Sequence, residues 1–233
     1  SLIGFGLSKD QAEVAYSIGI TTQTGADQIK TADTAGYSLA EIQVFTLDRL
    51  SKVASLIGFG LSKDQAEVAY SIGITTQTGA DQIKTADTAG YSLAEIQVFS
   101  LDRLSKVISL IGFGLSKDQV EVAYSIGITT QAGADQIKTA VAAGYTLAEI
   151  QSLSLTKLAD TVALLDSGLS KDDAVTAVSS GVSSAGAALL SQLHSSTQNT
   201  ALKDTITNVL ADAAYTAPSH QAALTVAASI ADM

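Results

Sequence analysis

Ser1-Leu-Ile-Gly-Phe-Gly-Leu-Ser-Lys-Asp-Gln11 returns letter for letter at Ser55 and again at Ser109. The spacing is a constant 54 residues, and it extends well beyond this stretch. Residues 1–54 and 55–108 differ at two positions, Thr46 against Ser100 and Ala54 against Ile108. Residues 109–162 form a third copy that drifts mainly after Ile150. Gly168-Leu-Ser-Lys-Asp-Asp173 marks a degenerate fourth copy, whose match fades beyond about Leu193. A fixed period of this kind is the signature of a repeat array, in which each unit buries its apolar face against its neighbours. The scattered substitutions and the gradual decay fit tandem duplication better than an engineered consensus. Ser1 falls inside a unit, just before an expected helix end, so the array is expected to continue upstream.

Glycines punctuate each unit at Gly6, Gly19, Gly36 and then Gly60. An apolar residue and then Ser or Thr follows each, as in Leu7-Ser8, Ile20-Thr21 and Tyr37-Ser38. Glycine ends a helix in the left-handed conformation without a Cβ penalty, and Ser or Thr caps the next helix. Ser8-Lys-Asp-Gln11 and Ser38-Leu-Ala-Glu41 fit the capping box, in which two otherwise unpaired backbone donors are satisfied reciprocally. The first helix is expected over about Lys9–Ile18, with Ala12, Ala15 and Ile18 on one face and Val14 beside it. The second is expected over about Gly25–Ala35, with Ala26, Ile29 and Ala32 inward and Thr24 or Thr22 as its cap. The third segment is either one bent helix or two short ones. Leu39, Ile42 and Phe45 form its first stripe. Leu47, Leu50, Val53 and Ile57 continue it after Thr46, a candidate second cap. These spacings are helical rather than alternating.

The resulting fold class is all-α: short helices in 54-residue tandem repeats, stacked as an α-solenoid-like array. Residues 1–162 hold three repeats (1–54, 55–108, 109–162). Residues 163–233 are read as a degenerate fourth repeat plus a helical C-terminal cap. Within that cap, Pro218 separates helices near Ala201–Ala213 and Gln221–Ile230. Asp48 and Lys52, spaced i,i+4 in the favourable order, are read as a solvated pair contributing about 0.2–0.5 kcal/mol.

Composition narrows the function. The 233 residues are 46% apolar, which excludes a disordered chain, while charged residues make up only 15%, below the roughly 25% of an average domain. No cysteine is present, which removes disulfides, thiolate metal sites and a cysteine nucleophile. A net charge of −10 repels a phosphate backbone and gives no reason to expect binding to anionic membranes. No stretch reads as a membrane span. The N-terminus lacks the basic region of a signal peptide.

The motifs that carry chemistry elsewhere read as structure here. Gln11-Ala-Glu-Val-Ala15-Tyr-Ser-Ile-Gly19-Ile20 resembles the first half of a helix-turn-helix. The resemblance fails in the second half. Gly25 and Gln28 stand where apolar residues belong, and Lys30 is the single cation nearby, flanked by Asp27 and Asp33. Gly4-Phe-Gly6 with Lys9 lacks the third glycine of a dinucleotide fingerprint and the Gly-Lys-Ser/Thr of a phosphate loop. His194 and His220 lie outside the intact repeats with no ligand-spaced partner. Tyr16 and Tyr37 recur in every intact unit. They form either an exposed aromatic ladder or packing between units with the hydroxyl at the surface. No catalytic, cofactor-binding or metal-ligating set is assigned.

Near-identical copies suit a function that scales with length or area, whereas an enzyme needs one asymmetric pocket. The composition and architecture resemble the repeat regions of large secreted and cell-surface bacterial structural proteins and adhesins. The resemblance implies an extracellular or cell-surface location and a role in adhesion, coating or filament formation, with other surface proteins as further partners. The expected function is thus a non-enzymatic structural module of a scaffold, fibre, filament or lattice, self-assembling through repeat stacking. A helical scaffold that binds a protein or peptide is the alternative.

Overall fold

The computed structural model describes residues 2–179 and 181–182, and among them every regular element is helical. After a 3₁₀ turn at Ile3–Phe5, the first repeat forms α1 (Lys9–Ser17), α2 (Gln23–Thr34), α3 (Leu39–Gln43) and α4 (Leu47–Gly58). The second forms α5 (Lys63–Ser71), α6 (Gln77–Thr88), α7 (Leu93–Gln97) and α8 (Leu101–Gly112). The third forms α9 (Lys117–Ser125), α10 (Gln131–Ala142), α11 (Leu147–Ser152) and α12 (Leu155–Asp166), and α13 (Lys171–Ser179) opens the fourth. The expected helices near Ala201–Ala213 and Gln221–Ile230, with Pro218, lie outside the described residues.

The chain divides into two units at Ile108 and Ser109. In the first, α1 packs on α2 and α3, α2 on α4, and α4 on α5, where the pattern restarts with α6 and α7. In the second, α9 packs on α10 and α11, α10 on α12, and α12 on α13. Each is a serial helical repeat array, as the 54-residue period predicts.

The glycine and cap code accounts for the elements. Gly19, Gly36 and Gly60 have φ of 81°, 97° and 86°. Each donates its amide to the carbonyl three residues back, and the next residue donates five back: Ile20 to Ala15, Tyr37 to Ala32, Leu61 to Leu56. This is the Schellman closure, and all six residues of these three pairs are buried. Both expected capping boxes form, at Ser8 with Gln11 and at Ser38 with Glu41.

Two alternatives left open by the sequence are resolved, the α2 cap and the form of the third segment, and the expected α2 start and the placing of Leu47 and Ile57 are corrected. α2 starts two residues earlier than expected, and its cap is Thr22, whose Oγ1 accepts the Gly25 amide at 3.2 Å. Ile20 closes the preceding turn, so Thr21 bridges and Thr22 is the first residue free to cap. The third segment resolves into two helices, because Phe45 turns inward and packs edge-on against Tyr37 with ring centres 5.5 Å apart. Thr46 then caps α4 by accepting the Arg49 amide. Leu47 leaves the apolar stripe and is exposed, and Leu56 rather than Ile57 is fully buried. Ala26, Ile29 and Ala32 are fully buried as expected. They join Ala15, Ile42, Leu50 and Val53 in the core of the first repeat.

Candidate interaction surface

A dense polar cluster lies where the first repeat meets the second, within the first unit. Tyr37 is buried, yet its hydroxyl donates to Glu67 Oε1 at 2.8 Å and lies 3.3 Å from the Lys63 carbonyl. Burial and then the Glu67 carboxylate push the Tyr37 phenol well above its ordinary value. Arg49 Nη2 donates to the other oxygen, Glu67 Oε2, at 2.7 Å. The guanidinium sits 4.2 Å from the Phe45 ring centre and 5.4 Å from that of Tyr70, a cation held between two π faces.

A second group flanks the first. Lys63 Nζ donates to Glu41 Oε1 at 2.7 Å and to the Gly36 carbonyl at 3.3 Å, and lies 4.9 Å from the Tyr37 ring centre. It thereby occupies the negative, carbonyl-rich end of α2. Lys63, helped by the amide and hydroxyl of Ser38, holds the Glu41 carboxyl down at about 2.

In the second unit the junction of the third and fourth repeats keeps only the flank. Lys171 Nζ donates to Glu149 Oε2 and to the Gly144 carbonyl, both at 2.9 Å, and Glu149 is again held at about 2. The Tyr145 hydroxyl reaches the Lys171 carbonyl at 3.4 Å. The positions equivalent to Phe45, Arg49, Glu67 and Tyr70 hold Leu153, Lys157, Val175 and Val178.

Outward, each of the first two repeats presents the same apolar pair. Val44 and Leu47 are 79% and 51% exposed, and Val98 and Leu101 repeat those values. Leu47 borders a groove of about 270 Å³ together with Gly19, Ile20, Thr22 and Gln28. A larger groove of about 490 Å³ runs between the first two repeats, with Lys30, Thr34, Ile57 and Lys63 in its walls.

The remaining sequence candidates have structural explanations. The helix-turn-helix look-alike is α1 and α2 joined by the Gly19 turn. Lys30 pairs with Asp27 at 2.6 Å and donates to the Phe5 carbonyl at 3.1 Å. Gly4-Phe-Gly6 is therefore a helix end whose carbonyl receives a cation, repeated by Lys84 on Phe59 and Lys138 on Phe113. The recurring tyrosines divide: the Tyr37 type is buried at a junction, while Tyr16 is exposed and Tyr70 half-buried, so they form no single exposed ladder. His194 and His220 lie outside the described residues. Among the described residues no group of three or more His, Asp or Glu is placed to hold a metal ion, and no helix is long and apolar enough to cross a membrane.

Comparison with protein-family models, with curated proteins and with solved structures finds no match.

Arg49, Glu67 and Lys63 are residues that sequence reasoning missed, and Glu41 was read there only as a capping-box partner. As charged residues in capped helices they look like ordinary surface. A usable signal was nonetheless present: Arg49 and Glu67, 18 residues apart, are replaced together at Lys157 and Val175.

Proposed function

We propose that this chain is a non-enzymatic structural repeat module of an extracellular or cell-surface scaffold, fibre, filament or lattice, assembling with copies of itself. The observation that carries the reading is the outward apolar pair, Val44 with Leu47, repeated by Val98 with Leu101 in the same environment. A surface that offers identical apolar contacts at a fixed period suits a partner with the same period, and copies of this chain have it. Large exposed aliphatic side chains recurring in register are otherwise a solubility liability. Extended, additive contact is also what near-identical units supply best.

Electron microscopy of the full chain across a concentration range tests this. Regular filaments or sheets are the expected result. Discrete particles at every concentration would refute self-assembly. The groove between the first two repeats, with Lys30 and Lys63 in its walls, favours one alternative: a scaffold that holds an acidic or repetitive peptide. Single particles that bind such a peptide with a salt-sensitive affinity would support that alternative.

A further inference from the structure

α1 and α5 have the same sequence, Lys-Asp-Gln-Ala-Glu-Val-Ala-Tyr-Ser, and different surroundings. α5 is covered by the first repeat and α1 has no such cover among the described residues. The difference falls on one face, at positions spaced three and four apart. The Lys9 side chain is 83% exposed where Lys63 is 28%, and Glu13 is 69% exposed where Glu67 is 34%. Ala12 is half-buried where Ala66 is fully buried, and Tyr16 is 82% exposed where Tyr70 packs against the core of the first repeat. Beside this face, Leu2, Phe5, Tyr16, Ile20 and Thr21 line a groove of about 260 Å³. Ile3–Phe5 forms a 3₁₀ turn, whereas the same letters at Ile57-Gly58-Phe59 complete and cap α4.

We infer that the Lys9–Ala12–Glu13–Tyr16 face of α1 is a docking surface for one further 54-residue unit of this chain's own type. That unit presents the residues equivalent to Glu41, Phe45 and Arg49. Complementarity is fixed by the junction already described. Lys9 receives the glutamate as Lys63 receives Glu41. Glu13 receives the arginine as Glu67 receives Arg49. Tyr16 closes over the guanidinium as Tyr70 does. The inference deepens the structural reading above, since it specifies one contact by which units add, and it stands or falls separately from whether the present chain forms filaments.

The absence of cysteine provides the test. Ala12→Cys places a single thiol on this face, and the third repeat already carries the larger Val120 at the equivalent position. The full chain bearing Ala12→Cys is compared with the same chain preceded by an added copy of residues 1–54, joined Ala54 to Ser1 as Ala54 is joined to Ser55. Ala66→Cys in the unextended chain sets the rate of a thiol known to be covered. Thiol reaction with Ellman's reagent is expected to fall at least tenfold on extension, to the Ala66→Cys rate. Arg49→Gln in the added copy is expected to restore part of the lost reactivity, with circular dichroism verifying that the added helices form. An unchanged rate on extension would overturn the inference. So would protection unaffected by both Arg49→Gln and Phe45→Leu in the added copy.

Discussion

Glu67→Val tests the junction most directly, because it installs in the second repeat what the fourth carries at Val175. Glu67 accepts from the Tyr37 hydroxyl at 2.8 Å and from Arg49 at 2.7 Å. A hydrogen bond to a charged group contributes about 1.5–3 kcal/mol when well buried. The Arg49 and Glu67 side chains are each 34% exposed, so screening brings their pairing to about 0.5–1 kcal/mol. Tyr37 keeps a fallback in the Lys63 carbonyl at 3.3 Å, which lowers its loss toward about 1 kcal/mol. The total is about 1.5–2 kcal/mol. In a nearest-neighbour array this loss belongs to one interface, so the first repeat opens about 10–30 times more often while the rest holds. Amide hydrogen exchange measures that opening. Peptides containing Thr46 or Ala54 report the first repeat, and those containing Ser100 or Ile108 report the second. Faster exchange is expected in the Thr46 and Ala54 peptides and not in the Ser100 and Ile108 peptides, with Val175→Glu producing no such change. Unchanged exchange in the Thr46 and Ala54 peptides, or equal acceleration in the Ser100 and Ile108 peptides, would refute the reasoning.

Other consequences can be measured independently. The Glu41 and Glu149 carboxyls are held at about 2, below their ordinary value of 4.5, so their contribution is complete above about pH 4.5 and is lost as pH falls toward 2. The melting temperature is expected to drop across that window, and Lys63→Gln with Lys171→Gln should flatten the drop without abolishing it, since the Ser38 and Thr146 contacts remain. Tyr37 and Tyr145 phenols are both raised above 10, so stability is complete below pH 10 and falls at higher pH. Tyrosinate absorbance from these two should rise only together with the loss of helical circular dichroism. At Gly25 an added Cβ would lie 2.7 Å from Ile20 Cγ2, so Gly25→Ala is expected to cost about 1–3 kcal/mol by urea melting, and the same substitution should cost less in an Ile20→Ala chain, which lacks both γ carbons.

The sequence disclosed the fold more fully than the surface, for a physical reason. Helix ends are local events: Gly19 and Ser38 act through residues a few positions away, so their letters suffice. The helix pair α3 and α4 was legible only as two options, because the break depends on Phe45 reaching Tyr37, a packing event. Asp48 and Lys52, a local pair, meet at 2.7 Å as their spacing predicts. The junction is not local. Glu13 and Glu67 are the same letter in the same string, yet one is solvated and the other holds an arginine and a tyrosine. Identical repeats conceal this difference, since only the neighbour decides it.

Where the copies diverge, they show which contacts act as a unit. At the fourth repeat the flank survives intact in Tyr145, Glu149 and Lys171, while Leu153, Lys157, Val175 and Val178 replace the whole aromatic and charged centre. Removing Glu67 alone would strand a partly buried guanidinium whose Nε already has no acceptor. Removing Arg49 alone would leave the Glu67 carboxylate on the Tyr37 hydroxyl without its cation. A half-broken pair costs more than either a complete pair or an apolar replacement. The four positions change together: the carboxylate and both rings leave, and the more flexible point charge of Lys157 takes the place of the fixed guanidinium fork. The lysine-glutamate flank is under no such constraint, since Lys63 and Lys171 also bond a helix-end carbonyl and stay anchored through it. The flank is therefore what these two junctions share, and the aromatic and charged centre is what the first adds to it.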